Sequence, residues 1–219
     1  PVFSLRSKTS FGVGDFGDLK KMIDFIALTR QRVLQVLPIN DTTTTHTWTD
    51  SYPYSCISIF AIHPQYVDLT QLPTLKDENV RTHFEVLRTE LNSLPQIDYE
   101  RVNEAKTAYL RAVYEQEKAK VLKSSGFKTF LKESGRWLVP YARYCSLRDA
   151  YGTAEFDRWP AHNSWDEADR KVLTTASTKV FKEVAFYYFI QYVLSEQMSA
   201  VHQYARAKGV ILKGDIPIG

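Results

Sequence analysis

The opening 40 residues constrain this chain most, because an apolar run, a glycine-rich turn, a helical stripe and a second apolar run follow one another there. Val2-Phe3-Ser4-Leu5 reads as a short buried strand, and Phe11-Gly12-Val13-Gly14-Asp15-Phe16-Gly17-Asp18 as the turn after it. Leu19, Met22, Ile23 and Ile26 then recur at helical spacing, with Asp18 at the start as a capping candidate. Val33-Leu34-Gln35-Val36-Leu37-Pro38-Ile39 is apolar and β-branched enough for a second buried strand. Strand, helix and strand in so short a span make a βαβ unit, with parallel strands and a right-handed crossover.

Beyond Asn40 the strand signal nearly vanishes. Residues 41–52 form a polar loop rich in threonine, and residues 57–69 a short apolar stretch. After that the pattern is helical. Val102, Ala105, Tyr109, Ala112 and Gln116 mark one face of residues 101–123, and residues 139–151 are a second candidate. The longest helix is expected over residues 177–208, where Val180, Val184, Tyr187, Leu194, Met198 and Val201 share a face with polar Gln191. Gly209 is placed to end it. Val210-Ile211-Leu212 opens a third strand that carries on to Asp215 or a little beyond.

This pattern predicts an α/β fold and fits a (β/α)8 TIM barrel with its first three strands present and a large, mostly helical insertion between strands 2 and 3. On that reading residues 1–69 start the barrel, residues 70–208 form the helical subdomain and the helix leading to strand 3, and residues 209–219 are strand 3. A doubly wound sheet can open in the same way. Both ends read as cuts, since the chain starts without Met and stops just after an apolar run.

Composition narrows the function classes. With 44% hydrophobic and 13% aromatic residues there is enough apolar material for a substantial core. The formal net charge is only +3 and the basic residues are scattered, so nucleic-acid binding has little electrostatic support. No run is long and apolar enough to span a membrane, so no membrane partner is expected. Cys56 and Cys145 are too few for a disulfide framework and wrongly spaced for zinc, which leaves a reduced cytoplasmic setting as the expectation. The five histidines have no metal-like spacing, so no metal site is expected.

Three motifs carry possible chemistry. Gly12-Val13-Gly14-Asp15-Phe16-Gly17 has dinucleotide-loop spacing between a strand and a helix, although Asp15 and Asp18 would repel a pyrophosphate. A tight turn that caps the helix is the plainer reading. Tyr52-Pro53-Tyr54-Ser55 lies beyond the C-terminal end of the second expected strand, the face on which barrels carry their sites. An aromatic ring there can pack on the C–H face of a pyranose; alternatively Tyr54 anchors its loop to the core. Gly214-Asp215-Ile216-Pro217 puts a carboxylate near the end of the third expected strand, where it can accept from sugar hydroxyls or simply close a turn. Phe156, Trp159, His162 and Trp165 make an aromatic cluster, readable as a lid over a cleft or as a satellite core.

Taken in order, these pieces resemble the opening of the 4-α-glucanotransferases of glycoside hydrolase family 77. The resemblance rests on Phe3-Ser4-Leu5-Arg6-Ser7, on the glycine turn with Leu19, on Val33 to Asn40, on Tyr52-Pro53-Tyr54-Ser55 and on Ser58-Ile59-Phe60-Ala61. It continues through Pro64-Gln65-Tyr66-Val67-Asp68-Leu69, Arg158-Trp159-Pro160 and Lys213-Gly214-Asp215-Ile216-Pro217-Ile218-Gly219, and is weakest over residues 74–141. The wording from Leu212 onward is closest to the plant cytosolic disproportionating-enzyme type.

The resemblance implies a (β/α)8 barrel that transfers α-1,4-glucan segments by double displacement, without metal or cofactor. Its partners would be maltose, maltooligosaccharides and glycogen-like polymers. It also implies that the nucleophile, the acid/base and a third carboxylate follow later strands, so no catalytic residue is expected in this chain. Tyr54 and Asp215 match substrate-binding positions of the family, and the glycine turn matches a structural turn rather than a nucleotide site. Many relatives have Ser-Pro-Tyr where this chain has Tyr52-Pro53-Tyr54, so the serine contact is either lost or supplied by Ser51. Two rivals stay open: a hydrolase of the same fold, and a non-catalytic glucan-binding protein.

Overall fold

A computed structural model describes residues 1–218. Among the described residues, α1 (Phe16–Leu28) leads to β1 (Val33–Gln35), and α2 (Glu78–Ser93), α3 (Tyr99–Val121) and α4 (Ser125–Tyr151) follow. Then come the short α5 (Asp169–Thr174), the long α6 (Lys179–Ala207) and β2 (Ile211–Lys213). β1 and β2 pair in parallel, Val33 opposite Ile211 and Gln35 opposite Lys213. A bond at each end prolongs the ladder, Val36 N–H to Lys213 O at 2.9 Å and Ile211 N–H to Arg32 O at 2.7 Å.

The expected three strands are two among the described residues. Val2–Ser4 is a 3-10 turn rather than a strand. The Leu5 amide donates to Val2 O at 3.0 Å and the Gly14 amide to Phe3 O at 2.9 Å, so local bonds and the glycine turn take the carbonyls that a sheet partner would need. The parallel pair therefore forms between the second and third expected strands, and the crossover between them contains α2 to α6. Helix expectations hold better. The segment over 101–123 is α3, that over 139–151 is the C-terminal half of α4, and that over 177–208 is α6. Gly209 follows α6 with φ +69°, the left-handed conformation that costs glycine least.

The chain forms two compact units: residues 1–116 with the C-terminal stretch from 193, and residues 117–192. In the first, Val13, Phe16, Leu19 and Ile23 are buried with Leu91 of α2, Val102 and Leu110 of α3, and Val201 and Ala205 of α6. The glycine turn is set close against backbone. A Cβ on Gly14 would lie 2.1 Å from Val2 O and 2.6 Å from Leu5 O, so no side chain fits there.

Asp15, not Asp18, is the N-cap of α1. Its Oδ1 accepts from the Gly17 and Asp18 amides, while Asp18 Oδ2 accepts from the Asp15 amide, a reciprocal capping box. Asp18 also accepts from the hydroxyls of Ser7 and Ser10, each at 2.6 Å. The helix N-terminus, where a pyrophosphate would sit, is thus filled by the chain's own carboxylates. Lys106 of α3 lies behind them, fully buried, its Nζ donating to Gln65 O at 2.6 Å and standing 3.8 Å from Asp15 Oδ2. Burial raises Asp15 to about 6, Lys106 pulls it down, and Asp18 and Asp68 push it up.

The second unit has an aromatic interior. The first half of α6 reads Val-Phe-Lys-Glu-Val-Ala-Phe-Tyr-Tyr-Phe-Ile from Val180, and Phe181, Phe186, Tyr188, Phe189 and Ile190 are all buried. A segment that buries so many of its positions needs neighbours on several sides. Gln191, the polar residue of the predicted face, is buried and donates from Nε2 to the Tyr141 hydroxyl at 3.2 Å. Gly126 lies where a Cβ would meet the Tyr192 hydroxyl at 2.7 Å, and Phe127 meets the same ring edge-on at 5.6 Å.

Candidate functional site

Parallel strands put their C-terminal ends on one side of a sheet, and the loops that leave them are therefore neighbours. β1 and β2 are adjacent and parallel, so the loop after Gln35 and the turn after Lys213 share that side. The two substrate-binding candidates sit on these segments. The structure brings them together: the Tyr54 hydroxyl donates to Asp215 Oδ2 at 2.8 Å. Asp215 Oδ1 accepts from the Ile216 amide at 2.9 Å, which fixes the carboxylate from its other side. Among the described residues, no atom outside Gly214 and its chain neighbours lies within 4 Å of the place where a Cβ on Gly214 would be.

The hydrogen bond to Asp215 raises the Tyr54 pKa above its ordinary value of 10, with the remaining desolvation and the Asp215 charge adding in the same direction. Tyr54 is therefore a neutral phenol at physiological pH, a donor to the carboxylate. Its ring is half-exposed and lies 5.6 Å from the ring of Tyr52, which is itself exposed. Tyr52 occupies the place before the proline where the serine of many relatives was expected. Ser51 is half-buried at the end of the 3-10 turn Trp48–Ser51.

The threonine-rich loop is far more ordered than its composition suggests. Asp50, buried in it, accepts from the amides of Thr44, Thr45 and His46 and from the hydroxyls of Thr44 and Thr45. Thr42 returns a hydroxyl hydrogen bond to the Asp50 carbonyl. His46 takes φ +59°, an uncommon conformation for a side-chain-bearing residue, while its amide donates to Asp50 Oδ2 at 2.7 Å. Asp41 ties the base of the loop through Asp41 N–H to Ala61 O at 2.9 Å and Ile57 N–H to Asp41 O at 2.8 Å. The sequence reading did not single out Asp50. An aspartate five residues after a run of four threonines is the signal, and it becomes legible once Asx-type bonding is considered.

Tyr54, Asp215 and Tyr52 offer groups suited to recognition. A carboxylate with remaining lone pairs, a phenol and an exposed neighbouring ring can accept sugar hydroxyls and pack on a pyranose face. Retaining glycosyl transfer needs two carboxyl groups about 5–5.5 Å apart. The partner that the structure gives Asp215 is a phenol.

Comparison with known proteins agrees with this fold. The family model for glycoside hydrolase family 77, 4-alpha-glucanotransferase, matches residues 1–219. The chain is 39% identical over 219 residues to the 4-alpha-glucanotransferase DPE2 of Oryza sativa subsp. japonica, covering 100% of this chain and 23% of that protein. It is 32% identical to the 4-alpha-glucanotransferase of Chlamydia muridarum, again over 100% of this chain but 40% of the relative. The fold matches amylomaltase from Corynebacterium glutamicum with a TM-score of 0.74 at 22% identity, over 100% of this chain and 29% of that one. Amylomaltase from Streptococcus agalactiae, in complex with acarbose, matches with the same TM-score of 0.74 at 19% identity, over 98% of this chain and 41% of that one. The chain thus spans 23% to 41% of the length of these proteins. It belongs to the 4-α-glucanotransferase family, glycoside hydrolase family 77.

Proposed function

We propose that the protein to which this chain belongs transfers α-1,4-glucan segments between maltooligosaccharides or glycogen-like glucans by a retaining double displacement. The chain contributes substrate binding through Tyr54 and Asp215, and the nucleophile and acid/base lie beyond Gly219 in the remainder of a (β/α)8 barrel. The observation that carries this reading is the 2.8 Å hydrogen bond between Tyr54 and Asp215, from loops that leave two adjacent parallel strands in a chain of this family. The Tyr52 ring, 5.6 Å from that of Tyr54, supplies a second aromatic face for a sugar at that pair. The acarbose bound to the Streptococcus agalactiae neighbour supports a glucan-like ligand. No helix of the described residues is long and apolar enough to cross a membrane, which is compatible with the cytoplasmic setting proposed from the two cysteines.

The experiment is to incubate the full-length protein with maltotriose and separate the products. Glucose together with maltotetraose and longer oligomers supports transfer. Glucose and maltose without elongation would make the protein a hydrolase of this fold.

A further inference from the structure

The aromatic cluster that the sequence left between lid and satellite core is both a core and a pocket wall. Trp159 is its buried centre, 5.6 Å from Tyr144, 5.7 Å from Tyr151 and 6.5 Å from Phe156, with its indole N–H on Thr153 O at 2.9 Å. Above it a cavity of about 250 Å³ is lined by residues of α4 and of the segment 156–165. Two large rings stand at its lip, Phe156 at 56% and Trp165 at 41% exposure. Trp165 is held in place from behind. Its indole N–H donates to Glu167 at 3.1 Å, and the Arg170 guanidinium lies 5.5 Å from its ring centre.

The polar part of the lining is His162, Asn163 and Ser164. His162 takes φ +61°, a conformation that side-chain-bearing residues seldom adopt and that is found more often where a surface is shaped for a ligand. The one charged residue of the lining, Arg143, is paired with Glu183 at 3.8 Å, so the pocket offers no unpaired charge to a charged ligand. Its volume lies below the range of sites for drug-sized ligands, which favours a small ligand. Exposed ring faces, hydrogen-bonding side chains and small size together suit one class of ligand, the apolar face and hydroxyl rim of a sugar.

We propose that this pocket is an accessory site for α-glucan, holding a glucosyl segment of a polymeric substrate through Phe156 and Trp165, with His162, Asn163 and Ser164 reading its hydroxyls. It belongs to residues 117–192, whereas Tyr54 and Asp215 belong to the other unit. The proposal rests on the glucan-transfer reading, because the assumed ligand is that reading's substrate.

The test uses the full-length protein with two substrates, maltotriose and soluble glycogen, and compares the ratio of their kcat/KM values. In the double variant Phe156→Ser, Trp165→Ala the glycogen-to-maltotriose ratio should fall at least fivefold, through a higher KM for glycogen. Trp165→Tyr, which keeps a ring, should restore most of the ratio to a Phe156 background. An unchanged ratio, or a fall confined to kcat, overturns the proposal. Should the double variant fail to fold, Trp165→Ala alone is read in the same assay, since its ring is largely at the surface. Absence of maltotriose disproportionation by the parent protein would count against the transfer reading itself and not against this pocket.

Discussion

The Tyr54 hydroxyl and the Asp215 carboxylate meet at 2.8 Å although 161 residues separate them in the chain. Adjacent parallel strands make the meeting possible, and the intervening helices make the strands adjacent. On the proposed function the bond would divide the work between two groups, Asp215 keeping lone pairs for a glucan while Tyr54 orients the carboxylate and offers an edge of its ring.

Substitutions at Tyr54 should separate those two contributions in the full-length enzyme. Tyr54→Ala removes ring and donor, and kcat/KM for maltotriose should fall roughly 5- to 30-fold, the equivalent of one lost aromatic contact. Tyr54→Phe keeps the ring and leaves Asp215 Oδ2 without its donor, so it should do less harm. Transfer by Tyr54→Ala within a factor of about two of the parent would remove Tyr54 from the site.

Asp215 should bind and not attack. Asp215→Asn is expected to lower turnover while a 2-deoxy-2-fluoro glycosyl fluoride still forms a detectable covalent adduct. Mass-spectrometric mapping should place that adduct beyond Gly219. Label on Asp215 itself would reverse the assignment.

Much of this was readable from sequence, and the exceptions have physical causes. The helical spacings gave α3 and α6 close to their observed bounds, because an apolar stripe of period 3.6 has few other uses. α2 does not stand out in the sequence as a separate helix, because only Phe84 and Leu91 of its 16 residues are buried and its stripe is thin. Val2–Ser4 misled because burial and strand pairing are different properties. Val2 is buried, yet its carbonyl bonds locally. From sequence Asp18 stands as the capping candidate, but the turn ends three residues earlier, which hands that role to Asp15. Tyr54 and Asp215 were found separately as loop candidates; their contact is a long-range pairing that no local pattern encodes.

The capping aspartate should leave a pH signature. Asp15 rises from 3.8 to about 6, so between those values the folded state holds a proton that the unfolded chain has released. The associated stabilisation is fully present below about pH 3.8 and is lost as pH rises through about 6. Asp15→Asn keeps a good cap but cannot titrate. Relative to the parent it should therefore gain about 1–3 kcal/mol in urea unfolding between pH 4 and pH 7. An equal difference between the two proteins at both pH values would contradict the raised value.

Asp50 should be worth more than its place in a polar loop suggests. Asp50→Ala leaves the amides of Thr44, Thr45 and His46 without their acceptor. The expected cost is about 1–3 kcal/mol, less what water recovers, seen as a lower melting temperature. Limited proteolysis should show new cleavage within residues 41–52. A variant as resistant as the parent would mean that the loop is held by its flanks alone.

Residues 1–219 expressed alone should show no transfer. Val33 and Ile211, paired across the two-stranded sheet, are 51% and 63% exposed, so the isolated piece presents apolar strand surface and should be poorly soluble. In the full-length protein Ile211→Lys should lower the melting temperature, because further strands are expected to cover that position.

The most direct measurement is maltotriose disproportionation, run side by side on the full-length protein and on residues 1–219. The account predicts glucose, maltotetraose and longer oligomers from the former and unchanged maltotriose from the latter. Elongated products from the purified 219-residue piece, above a mock-purified control, would place the catalytic pair within this chain and contradict the assignment of Tyr54 and Asp215 to binding alone.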